Sequence, residues 1–106
     1  MTTGWLILGL AVITEIIWAL SLKFVQGNSL RWLVAFPVAL SFVNMWLLSL
    51  TMRYLPTGTA YAVWTGLGVV GVSLGGMIWY GDPVSVTRIV LLAIIVCCVV
   101  GLKFTG

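Results

Sequence analysis

Charge is what this sequence has least of. Only 7% of its 106 residues are charged, five basic and two acidic, and histidine is absent. Soluble domains carry roughly 25% charged residues. With 62% of the residues hydrophobic, the chain reads as an integral membrane protein with no room for a separate soluble domain. The lack of histidine, with only two cysteines, leaves a zinc site without ligands. Those cysteines, Cys97 and Cys98, are adjacent in an apolar run. Helical neighbours point apart and do not readily pair, so both read as small buried packing residues. The basic residues are scattered, which argues against a nucleic-acid patch. No nucleophile–base pair or phosphate loop is present, so the reading is a protein without catalysis or cofactor. The amino-terminal MTTGW lacks the basic start of a cleaved signal and is read as the start of the first mature helix.

Long apolar runs are abundant. Breakers and charges divide the chain into four spans, 3–22, 32–52, 59–80 and 88–102, within one domain covering residues 1–106. The first three hold 20, 21 and 22 residues, the length a helix needs to cross about 30 Å of hydrocarbon; the fourth is marked by its apolar run up to Lys103. The turns are Lys23–Arg31 with its Gly-Asn pair, Arg53–Gly58 around Pro56, and Gly81-Asp82-Pro83. The predicted fold class is an all-α membrane protein of four transmembrane helices.

One acidic side chain, Glu15, lies inside an apolar run. A carboxylate near the middle of a span costs at least a few kcal/mol and marks an ion or proton pathway by default. On its helix face lie Ala11, Trp18 and Leu22. Trp18, one turn away, is read as an aromatic wall beside the carboxylate; the alternative is a lipid-facing tryptophan. In the third span, Tyr61 and Trp64 begin a stripe that continues through Gly68, Gly71 and Gly75. Its aromatic part suits a cation, with the Tyr61 hydroxyl available to a carboxylate. Its glycine part suits close helix packing. In the second span, Asn44 is the strongest polar residue and needs a partner in hydrocarbon. It is either helix–helix glue or a ligand of Glu15 and its substrate. Gly66-Leu67-Gly68-Val69-Val70-Gly71 spells GxGxxG, yet no strand precedes it and no ribose partner follows, so a dinucleotide site is rejected. Gly66 and Gly68 are expected to weaken the helix and allow a bend.

Four spans place both termini on one side, with Arg53 and Lys103. Lys23, Arg31 and Arg88 fall on the other. A bias of two against three sets orientation weakly, so insertion both ways up is expected. Transporters commonly use inverted repeats around a midplane site. This chain shows no internal repeat, so an oppositely inserted second subunit would supply that relation.

The stretches ITEIIWALSLK, LPTGTAYAVWTGLG and the terminal GLK closely resemble the small multidrug resistance family of bacterial transporters, and the resemblance covers nearly the whole chain. It implies four helices per subunit, an antiparallel dual-topology dimer in the bacterial inner membrane, and cation/proton antiport at paired glutamates. On this chain it makes Glu15 the proton- and substrate-binding carboxylate, Trp18, Tyr61 and Trp64 the site aromatics, and Gly66 and Gly68 the bend. Trp18 and the GLK ending look like the guanidinium-exporter branch. The chain departs from that branch at Val12, commonly glycine, at Asn44, commonly serine, and around Cys97-Cys98, where the family has a helix-four glycine.

The expected partners are therefore protons, a small organic cation, the lipid bilayer and a second subunit. Two Glu15 carboxylates in one dimer would titrate as a coupled pair. Guanidinium, planar and able to donate two parallel hydrogen bonds to a carboxylate, would compete with protons for them. The alternatives are a broad exporter of quaternary ammonium and other drug cations, a small ion channel, and one subunit of an obligate heterodimer with a sister chain.

Overall fold

A computed structural model describes residues 2–105. Helix α1 spans Thr2–Gln26. A 3₁₀ turn, Arg31–Val34, leads into α2, Ala35–Thr51; α3 spans Thr57–Trp79 and α4 spans Val86–Thr105. All four helical segments are long and apolar enough to cross a membrane, as the hydropathy pattern predicts.

The helix ends differ from the expected boundaries for local reasons. Helix α1 continues past Leu22 because Lys23 suits the negative end of the helix dipole. It stops at Gly27, whose N–H donates to the Lys23 and Phe24 carbonyls at 3.1 and 3.2 Å, while Asn28 Nδ2 donates to the Phe24 carbonyl at 3.0 Å. Pro37 falls in the first turn of α2, where a missing N–H costs no helical hydrogen bond. Helix α3 ends at Gly81, which takes the left-handed φ of 70° that closes the turn; Asp82 N–H then returns to the Gly76 carbonyl at 3.1 Å. Helix α4 starts two residues before Arg88 because Ser85 Oγ accepts the Arg88 N–H at 3.1 Å, an N-cap bond.

Helix α1 packs against α2 and α3, and α4 lies along α3. The buried apolar centre is Leu8, Val12, Leu55, Ala60, Val63 and Val99. Glycines let α1 and α3 approach. A Cβ on Gly71 would collide with Ile16, and one on Gly75 would sit 2.7 Å from Leu20 Cδ1. This is the small-residue contact expected of the α3 stripe, and close backbone approach is how membrane helices gain packing energy without a hydrophobic drive. At the other end of the bundle, the Lys103 ammonium lies 5.3 Å from the Trp5 ring centre. That contact holds the start of α1 and the end of α4 at one end, as four crossings require.

The bundle is thin. Its Cα positions extend 45 × 35 × 17 Å, and the short dimension holds about two packed helices, whose axes lie about 8–10 Å apart. Most of α4 is exposed. Both Cys97 and Cys98 are exposed, which corrects the expectation of buried packing residues. With α4 against α3 on one side only, neither thiol is covered within the chain.

Candidate functional site

Glu15 sits on the face of α1 turned to α3. Its seat is Gly68: a side chain there would overlap the carboxylate, whose Oε2 lies 2.9 Å from the position a Cβ would take. Glycine is required here because the carboxyl group fills the notch left by the missing side chain. Glu15 Oε1 is shielded from solvent and has no hydrogen-bond partner among the described residues.

Trp18, one turn along α1, lines a cavity of about 180 Å³ with Ser41, Asn44, Met45, Leu48 and Trp64. Helix α2 builds one wall from Ser41, Asn44, Met45 and Leu48, spaced at three and four residues as a single helix face must be. Asn44 is only 5% exposed. Its Oδ1 and the Trp64 Nε1 are both buried without partners among the described residues. The Ser41 hydroxyl donates to the Pro37 carbonyl at 2.9 Å, so its proton is already used. Trp64 lies one turn before Gly68 on α3, so the cavity wall and the carboxylate seat are adjacent turns of one helix.

Buried polar atoms are nearly always paired, and each unpaired one costs about 1–3 kcal/mol. Two acceptors and one donor left open at neighbouring turns of three helices form a site that a polar ligand or a proton would complete. An anionic acceptor, a neutral acceptor and two indole faces favour a cation.

Tyr61 stands apart from this group. It is 54% exposed and leans on Trp64, with ring centres 5.7 Å apart and planes at 39°. It makes no bond to Glu15 Oε1. The stripe drifts around α3, so its first aromatic faces outward while its glycines face α1. Gly66 and Gly68 also part company. Gly68 houses Glu15, whereas a Cβ on Gly66 would sit 2.9 Å from Val99 Cγ2 on α4. Helix α3 runs unbroken through both.

Met45 and Leu48 were not singled out in the sequence, where they look like any lipid-facing residue. Thr65 was also missed. Its Oγ1 is buried and unpaired, although helical threonines commonly bond the carbonyl one turn back; nothing in the sequence separates the two cases. A larger cavity, about 570 Å³, lies between the end of α1, Leu33, Phe36 and Tyr80. Its walls are nearly all apolar, and the Tyr80 hydroxyl is committed to the Leu20 carbonyl at 2.9 Å, so it lacks the chemistry of the Glu15 region.

The family model described as "Small Multidrug Resistance protein" matches residues 3–95. The chain belongs to the small multidrug resistance family. It is accordingly a multi-pass protein of the bacterial inner membrane that belongs to a transporter family and is not an enzyme. Similar curated proteins include the "Guanidinium exporter" of Proteus vulgaris, 40% identical over 103 residues, covering 97% of this chain and 99% of that one. The "Guanidinium exporter" of Escherichia coli (strain K12) is 41% identical over 102 residues, covering 96% and 97%. That of Citrobacter freundii is 39% identical with the same coverage. In this family member, the glutamate seat and the α2 wall fall within the matched residues, and the end of α4 with Lys103 lies beyond them.

Proposed function

We propose that this chain exports guanidinium or small substituted guanidines in exchange for protons, working as an antiparallel dimer in which the two Glu15 carboxylates form one shared site. The observation that carries the reading is the Glu15 Oε1, buried in the middle of a membrane span without a partner among the described residues. A carboxylate there is costly, and a proton or an organic cation relieves the cost in turn. Similarity to guanidinium exporters over nearly the full length supports the choice of cation.

The thinness of the subunit supports a second copy. Within one subunit only about 17 Å of Cα thickness is available, and Tyr61, stacked on the cavity-lining Trp64, is exposed. A partner inserted the other way up would close the cavity, contribute its own Glu15 and bring its Tyr61 toward the site. The nearly even distribution of basic residues between the two ends of the bundle is compatible with both insertions.

Coupling follows from competition. A dimer whose site is empty and charged reorients poorly through hydrocarbon. One holding a proton or a cation exchanges between inward-open and outward-open forms, and the occupant biases which form prevails. Protons therefore enter as cations leave. In liposomes holding the purified chain alone, a proton gradient should drive guanidinium movement, and Glu15→Gln should abolish it. Full coupled movement in that variant would sink the scheme. Transport restored only by adding a sister subunit would assign the chain to a heterodimer.

A further inference from the structure

We propose that Asn44 selects the class of cation: its carboxamide oxygen is a second, neutral acceptor that admits cations bearing N–H groups and disfavours those without them. The inference rests on the proposed cation site and specifies its substrate class. Three observations carry it. Asn44 is 95% buried, the complement of its 5% exposure. Its Oδ1 has no partner among the described residues. It lines the same cavity as Trp18 and Trp64, the aromatic walls beside the Glu15 seat.

The cavity's own donors leave that oxygen open: Trp64 Nε1, a donor lining the same cavity, makes no bond to it. Ser41, its neighbour on the wall, already spends its proton on the Pro37 carbonyl. Met45 and Leu48 carry no strong hydrogen-bond donor. A carboxylate takes two parallel N–H groups of a guanidinium, and the cation still has N–H groups on its remaining edges. Asn44 supplies an acceptor for one of them without adding a second charge. A quaternary ammonium ion meets Glu15 and the tryptophans equally well through charge and cation–π attraction, but it has no hydrogen to give. It would sit against the buried Oδ1 and leave that acceptor without a donor. Sites built to hydrogen-bond a substrate N–H reject analogues lacking it far more strongly than apolar pockets reject a change of size.

The test compares two probes on the purified full-length protein in detergent, by titration calorimetry at fixed pH: guanidinium, and tetramethylammonium as a compact cation without N–H groups. Asn44→Leu keeps the branched shape and removes the acceptor. Guanidinium affinity should fall on the order of 10- to 100-fold, the loss expected for one hydrogen bond to a charged group, and tetramethylammonium affinity should hold or rise. Asn44→Ser, which restores an oxygen, should recover part of the guanidinium affinity. An equal loss for both cations, or no loss for either, would overturn the inference and leave Asn44 as packing while the exporter stands. Wild-type protein that binds neither cation would instead overturn the cation site itself. If Asn44→Leu does not fold, Asn44→Ala carries the same comparison.

Discussion

Replacing Gly68 with alanine tests whether the notch in α3 is a seat for the carboxylate or only a packing contact. The added Cβ would overlap the Glu15 carboxyl group and lie 2.9 Å from its farther oxygen. Real Cβ contacts essentially never fall below 3.0 Å, so the carboxylate must leave its place by about 1 Å. The obstacle is the far end of a flexible side chain, so the backbone need not move. Alanine also favours a helix over glycine by about 1 kcal/mol. The fold should therefore survive with its thermal midpoint in detergent changed little. Function should not. A misplacement of about 1 Å at a site that depends on alignment costs on the order of 100-fold, equivalent to about 2.7 kcal/mol. Guanidinium binding and proton-coupled uptake in liposomes should both fall by about that factor. Gly66→Ala is the control. Its Cβ would meet Val99 Cγ2 at 2.9 Å and Ile95 Cγ2 at 3.4 Å, methyl ends on α4 remote from Glu15, so equilibrium binding should stay within a few-fold of wild type. Wild-type uptake by a folded Gly68→Ala protein would refute the reasoning, because the carboxylate would then not need its seat.

Two further outcomes are expected. Gly75→Val would drive a branched side chain into Leu20, whose Cδ1 already lies 2.7 Å from where a Cβ would be. Overpacking of this kind costs about 1–3 kcal/mol, read as a lower thermal midpoint or a smaller folded fraction in detergent; unchanged stability would mean that α1 and α3 do not pack through this stripe. Asn28→Lys adds one positive charge to the end carrying Lys23 and Arg31. If insertion is balanced, carboxy-terminal reporter fusions should shift measurably toward the orientation that keeps this end in the cytoplasm. A population insensitive to the added charge would argue that something other than loop charge sets orientation.

The spans were legible in the sequence because a bilayer imposes a simple demand. Every backbone polar group inside hydrocarbon must bond within its own segment, so an apolar run of about 20 residues has few alternatives to a helix. Glu15 was legible for a related reason: a carboxylate in such a run has no cheap place to be. Asn44 stood out on the same ground, with two readings, glue or ligand; its oxygen has no partner among the described residues, and it lines a cavity with Trp18 and Trp64. Helix ends were less legible, since they depend on single caps such as Ser85 and Asn28, whose bonds form only once the chain has turned.

The partition of the third helix belonged to tertiary structure. Spacing places Tyr61, Trp64, Gly68 and Gly75 on one stripe, yet the first is exposed while the last two are buried. Crossing geometry decides this, because a straight helix face meets a neighbour over only part of its length. The same holds for Cys97 and Cys98: their apolar surroundings look the same in a buried helix and in a lipid-facing one, and only the position of α4 along one edge of a 17 Å layer leaves them uncovered. The sequence by itself determined the membrane, the four crossings and the one expensive charge, all consequences of transferring side chains out of water. Only the packed helices decided what that charge rests on. Gly68 looks like a point of weakness in a list of residues; it becomes a seat when α1 lays Glu15 across it.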